Sequence, residues 1–197
     1  VLQVRIVGES PIIMHSAAGM DNRSELSLAR IAIAKKKGTN RTASDDARLR
    51  EIEVEQALWL RNGKPYIPEA AIRTCIETGA KTQKQGAQVR GGLIVVETSP
   101  LEFDTSIYGE TLQDWVKSTA FTQRVVVQRA ALLRTRAMFE PPWAVSFKVD
   151  VDEELVDAEQ LDLWLRIAGR RVGIGGWRPE KSGPYGRFSV DSIEQAD

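Results

Sequence analysis

The chain has 197 residues, 42% of them hydrophobic, which is enough to bury a real core and excludes disordered and collagen-like classes. The 27 basic and 27 acidic residues cancel, so there is none of the overall basic excess that phosphate binding normally leaves. With one cysteine (Cys75) and one histidine (His15), an intrachain disulfide and a Cys/His zinc set are excluded, and a triad hydrolase would have a single imidazole to use.

Val1 to Gly8 alternates in period two and predicts a half-buried strand, ended by Gly8 and Pro11. A polar stretch from Ser16 to Asp46 follows; within it Leu26 to Lys37 predicts a short helix, and Gly38 to Ser44 has the turn residues of a flexible loop. A second helix is expected from Asp45 to Glu55. Asn62-Gly63 between apolar runs signals a hairpin. Pro68 then opens a helix with Ala71, Ile72, Cys75 and Ile76 as its apolar stripe, and Gly79 and Lys81 are its stop signals. Gly92 to Thr98 predicts a buried strand, and the acidic stretch after it reads as a surface excursion before a β-rich segment, Arg124 to Met138.

Trp143 to Val151 alternates over nine residues and predicts a strand. Leu161, Trp164, Leu165 and Ala168 recur at helical spacing, with acids before the helix and Arg166, Arg170 and Arg171 near its end. The acids Asp152, Glu153 and Glu154 are expected to cap it rather than to bind metal. Tyr185 to Val190 closes the chain as a strand. The order is β-α-β-β-α-β, which predicts an α+β fold with a ferredoxin-like or RRM-like core. One domain over 1–197 is expected, with insertions after the first strand (16–60) and between the second and third strands (99–142). No membrane-length apolar run and no secretory signal layout is present, so a cytoplasmic protein with no membrane partner is expected.

Charge is segregated along the chain. Arg30 to Arg50 carries seven basic and two acidic residues, and Lys117 to Lys148 carries six and one. Glu97 to Trp115 holds five acids and no base, and Val149 to Leu163 holds seven acids and no base. Such blocks either give a basic and an acidic face, which guide nucleic acid or let identical subunits stack head to tail, or are ordinary solvated surface. Candidate phosphate contacts are Lys35, Lys36, Lys37 and Arg41 in the first block, and Arg124, Arg129, Arg134 and Arg136 in the second. Arg134 and Arg136 are two apart, so on a strand they share a face. The competing reading pairs these strand arginines with the acidic segments.

The segment Gly173 to Phe188 holds five glycines between helix and strand. Gly175 and Gly176 would let amides approach a phosphate, Arg178 and Arg187 would add charge, and Trp177 and Tyr185 would offer stacking faces. It is neither a P-loop nor a Rossmann fingerprint, because it follows a helix and precedes a strand. The alternative is a tight structural turn with Trp177 in the core.

This loop, ending Tyr185-Gly186-Arg187-Phe188, resembles the signature loop of the RAMP superfamily, the proteins that build CRISPR effector complexes. Gly63-Lys64-Pro65-Tyr66-Ile67-Pro68 resembles that family's Gly-x-Pro-x-Ile-Pro approach to its first helix, and Ser10-Pro11-Ile12-Ile13 is a weaker third match. The matched motifs cover about a fifth of the chain. The chain also resembles small phage proteins with the same C-terminal motif. The hydroxyls usual after Ile-Pro are replaced by Glu69-Ala70-Ala71, leaving Arg73 as the residue carried over.

The resemblance implies a non-catalytic subunit that binds single-stranded RNA or DNA, with a guide RNA favoured, and assembles with copies of itself or with other effector subunits, needing no cofactor and no metal. His15 is a candidate nucleic-acid contact, and the alternative is a plain turn residue. Two rival readings are a metal-independent endoribonuclease using His15, which would need a Tyr or Lys partner, and a phage-encoded assembly or decoy protein that binds such subunits. Asp21 lies near where some backbone subunits carry an acid, at a loose spacing.

Overall fold

The protein is described here from a computed structural model that covers residues 1–127 and 130–196. The elements run β1 (Leu2–Gly8), β2 (Ile12–Ile13), α1 (Glu25–Lys35), α2 (Ala43–Ala57), β3 (Leu60–Arg61), β4 (Lys64–Pro65), α3 (Glu69–Lys81) and α4 (Gly86–Gly92). They continue as β5 (Leu93–Thr98), α5 (Thr105–Tyr108), α6 (Leu112–Ser118), β6 (Ala120–Val127), β7 (Ala130–Phe139), β8 (Ala144–Val151), α7 (Ala158–Ile167) and β9 (Phe188–Gln195). The class is α+β with antiparallel sheets.

Where the sequence predicts one domain with two insertions, the chain divides into two compact units. The first is Val1–Ile13, Leu60–Asp104 and Phe139–Asp197; the second is Met14–Trp59 and Thr105–Met138, formed from the expected insertions with slightly different bounds.

The first unit is built on a four-stranded sheet of order β5-β8-β1-β9, antiparallel throughout. Period-two alternation sends Leu2, Val4 and Ile6 of β1 and Phe147 and Val149 of β8 into the core. Each such side chain stabilises the fold by about 2 kcal/mol. α3 packs on β5 and on α7, and α7 packs on β9. The buried residues of α3 are Ile72, Cys75, Ile76, Gly79 and Ala80, so Gly79 lies within the helix rather than ending it. Burial pushes the Cys75 thiol up to about 12, and its Sγ donates to Gly173 O at 3.3 Å. A thiol held so far from ionisation is structural, not nucleophilic.

Three local expectations are corrected. The cap of α7 is Asp157, which forms a capping box with Gln160; Asp152, Glu153 and Glu154 lie in the turn before it. β9 starts at Phe188 rather than Tyr185, because Gly186 has φ 72° and is still part of the loop. The acidic stretch from Glu97 to Trp115 is no bare excursion: it contains α5 and α6, and buries Tyr108 and Trp115.

The hairpin joining β3 and β4 has φ of 51° at Asn62 and 74° at Gly63, the left-handed pair that an Asn-Gly turn supplies. It leads to Pro68, which sits at the N-cap of α3 rather than in its first turn. Glu69 then joins three elements. It accepts from Arg61 Nη1 and Nη2 at 2.5 and 2.6 Å, and from the Thr98 backbone N–H and Oγ1 at 3.2 and 3.1 Å. Arg61 also lies 4.1 Å over the Tyr66 ring.

The Arg61 hydrogen bonds, above all, hold the Glu69 carboxyl down at about 2. A depressed carboxylate adds stability that is complete above its unfolded value and disappears as pH falls toward its folded one. Glu69→Gln is therefore expected to lower stability by about 1 kcal/mol at pH 7, with the difference vanishing between about pH 4.5 and 2. Urea denaturation of both proteins across that range checks it.

In the second unit, α1 and α2 pack together. Ser24 caps α1, Thr42 and Asp45 form a capping box on α2, and Thr111 and Asp114 form another on α6. Gln56 of α2 donates from Nε2 to Ser27 Oγ of α1 at 2.9 Å, a buried polar pair satisfied within the unit. α6 contacts α2 and β6, and β6 pairs with β7 from Ala120↔Ala137 to Val127↔Ala130. Among the described residues, no helix is long and apolar enough to cross a membrane.

Candidate nucleic-acid interface

The two-residue spacing puts Arg134 and Arg136 on one face of β7, as the sequence predicts. They line a cleft of about 210 Å³ within the second unit, and His15 and Arg30 line it as well. His15 is carried there by a short run of chain whose ends are fixed by backbone bonds: Met14 N–H donates to Ala137 O and Ser16 N–H to Ala57 O, each at 2.9 Å.

Glu53 of α2 is the one acid in the lining. It accepts from Arg134 Nη1 and from the Thr135 backbone N–H, both at 2.8 Å. Three guanidinium groups thus face one carboxylate, which is already engaged. Arg30 comes from α1, and its Nε is buried without a hydrogen-bond partner among the described residues.

Burial holds the Arg136 guanidinium below its usual value and the charge of Arg134 adds to the effect, while Glu53 offsets it. His15 is exposed over the residue as a whole, yet at the cleft wall its ring loses hydration, and this together with the charge of Arg136 lowers its pKa. The lining contains no Tyr or Lys, the partners expected of a catalytic His15. Beside the imidazole, the group there able to carry a proton is Glu53, which is engaged by Arg134 and the Thr135 N–H.

The other expected contacts are scattered. Lys36 is tied to Asp45 and Arg41 to Asp46, each at 2.7 Å, whereas Lys35 and Lys37 are exposed with no ion pair among the described residues. Arg124 is exposed on β6 opposite Leu133. Arg129 lies outside the described residues. Arg73 donates to Leu93 O and Arg90 O at 3.4 and 3.2 Å, and so serves the backbone of its own unit. Asp21 is exposed and accepts from Arg23 N–H at 2.9 Å. Among the described residues, no cluster of His, Cys, Asp and Glu could hold a metal ion.

The glycine-rich loop of the first unit is built for packing. Four of its glycine amides are bonded within the unit: Gly173 N–H donates to Ala168 O, Gly176 N–H to Ile13 O, Gly183 N–H to Arg178 O and Gly186 N–H to Pro11 O, at 2.7 to 3.0 Å. Gly175 has φ 90°, and a Cβ there would overlap Ile13 O; one at Gly186 would overlap Ile174 O. The glycines therefore admit neighbouring carbonyls, and the Gly176 amide expected to hold a phosphate is already bonded.

Arg178 is likewise engaged, by Glu180 through Nε at 3.0 Å and by Gly175 O through Nη1 at 3.1 Å. Trp177 is not core: it is 45% exposed and lies 5.7 Å from the Tyr185 ring. Arg187 is exposed, with its backbone N–H on Ser10 Oγ at 2.9 Å.

Of the expected residues, the structure groups His15, Arg134 and Arg136, and it adds Arg30 and Glu53, which the sequence reading missed. Arg30 opens the first basic block, but nothing in its local pattern marks it. No protein-family model matches the chain, and no curated protein matches it significantly.

Since the sequence contains a single histidine, its titration can be read without assignment. The His15 pKa is expected below the ordinary value of about 6.5, and Arg136→Gln is expected to raise it. Because the folded state disfavours the imidazolium, stability falls as pH drops through the unfolded value. Proton NMR of the imidazole signals in both proteins checks the shift.

Proposed function

We propose that the protein is a non-catalytic, cytoplasmic subunit that binds single-stranded nucleic acid, a guide RNA by preference, and assembles side by side along the strand in a RAMP-type ribonucleoprotein complex. The observation that carries this reading is the cleft where Arg30, Arg134, Arg136 and His15 face a single engaged carboxylate. Guanidinium groups bind phosphate through paired N–H donors, and such contacts favour nucleic acid of any sequence. The exposed Lys35, Lys37 and Arg124 would extend the contact along the backbone.

Base recognition would not follow the stacking mode of an RRM sheet. The only aromatic residues in the four strands of the first unit's sheet, Phe147 and Phe188, are buried. Sequence-tolerant binding is the natural result, with Trp177 the exposed ring available for a stacked base.

Affinity for an unstructured RNA oligonucleotide is expected to fall steeply with salt. Replacing Arg134 and Arg136 together with Ala should flatten the log–log slope by about one to two units. Fluorescence anisotropy at several salt concentrations measures it, and no binding at low salt refutes the reading.

Assembly is tested separately. Reversing Asp152, Glu153 and Glu154 to Lys leaves the Asp157–Gln160 capping box of α7 in place, so the helix keeps its cap while an acidic surface becomes basic. Sedimentation of the wild type on RNAs of increasing length is expected to show stepwise growth in mass. The variant should stay at the mass of one subunit while still binding a short RNA.

A further inference from the structure

The arginine cleft has a shape and a charge that favour one part of a nucleic-acid strand. At about 210 Å³ it is smaller than the roughly 300–1,000 Å³ of pockets that enclose whole small molecules. Its lining offers no Trp, Tyr or Phe ring to stack a base, and His15 is its one aromatic side chain. A single phosphate group fits these limits better than a nucleoside does.

The charge balance is more specific. Arg30, Arg134 and Arg136 bring three positive charges, and Glu53 removes one, leaving about two when His15 is neutral. An internal phosphodiester carries one negative charge, whereas a phosphomonoester carries about −1.5 to −2 at pH 7. The doubly charged group matches the residual charge of the cleft, and it has one more unesterified oxygen to accept N–H bonds. Arg30 adds a buried Nε that bonds to nothing among the described residues, a donor for that extra oxygen.

We propose that this cleft seats the terminal phosphomonoester of a nucleic-acid strand, so that the protein recognises a phosphorylated strand end. The proposal rests on the nucleic-acid reading above and specifies which part of the strand the cleft holds.

Three versions of one short labelled RNA test it: 5′-phosphorylated, 3′-phosphorylated, and hydroxyl at both ends, with inorganic phosphate as a competitor. One phosphorylated form is expected to bind at least about tenfold more tightly than the hydroxyl form, and which one does so identifies the end. Arg30→Gln should reduce that advantage to below about threefold, weakening the phosphorylated form by a larger factor than the hydroxyl form, and Arg30→Lys should keep part of it.

Should Arg30→Gln fail to fold, the comparison of the three RNAs on the wild type decides alone. Equal affinities within about twofold overturn the strand-end proposal and leave the general nucleic-acid reading intact. If none of the three RNAs binds, both fail. Competition by millimolar phosphate against the phosphorylated RNA alone supports the proposal, and equal competition against all three opposes it.

Discussion

The carboxylate of Glu53 is the contact on which the second unit's cleft depends. It faces β7 from α2, and with two bonds of 2.8 Å it satisfies the Thr135 backbone N–H and pairs with Arg134. An amide left without a partner at that strand would cost about 1–3 kcal/mol. Two guanidinium groups some 6–7 Å apart on one strand face repel by about 2–3 kcal/mol at an effective dielectric constant near 20. One acid relieves both, and its side chain is only 10% exposed. The cleft is thus a compromise: enough negative charge to let the arginines converge, too little to neutralise them.

The glycine-rich loop shows the opposite use of a polar backbone. There the amides turn inward to the carbonyls of Pro11 and Ile13, which tie the loop to the chain just after β1. Glycines that look like a phosphate cradle in one dimension are spacers that let two backbones touch. At its surface the loop carries Trp177, 45% exposed, and the exposed cation Arg187. The clustered arginines belong to the second unit.

Much of the fold was legible because its signals are local. Alternation in Leu2 to Gly8 and Ala144 to Val151, the helical stripe of α7 and the Asn-Gly turn each need only a few neighbouring residues to be read. The cleft was half legible for the same reason. Arg134 and Arg136 declare a shared face through their spacing, whereas Arg30 and Glu53 reach them from helices some 80 to 100 residues away in sequence. The cap of α7 was misplaced because the acids of residues 152–154 outnumber the single Asp157, and only backbone geometry shows which carboxylate meets an N–H. The bonding of the loop was hidden because the acceptors of two of its amides, Pro11 O and Ile13 O, lie at the far end of the chain.

The pairing of β1 sets the order in which the molecule can become whole. Its neighbours are β8 and β9, so Leu2 to Gly8 emerges during synthesis with neither partner yet made. Val4 meets Phe147 on one side and Ile193 on the other, and the chain passes between the two compact units four times before β9 is reached. Contacts this distant in sequence are closed late, because the entropy of the intervening chain is lost before they give anything back. Until β9 is made, the backbone N–H and C=O groups on that side of β1 are an unpaired edge that another nascent chain can join. Synthesis of β9, about 180 residues after β1, therefore decides when Leu2 to Gly8 is paired on both sides.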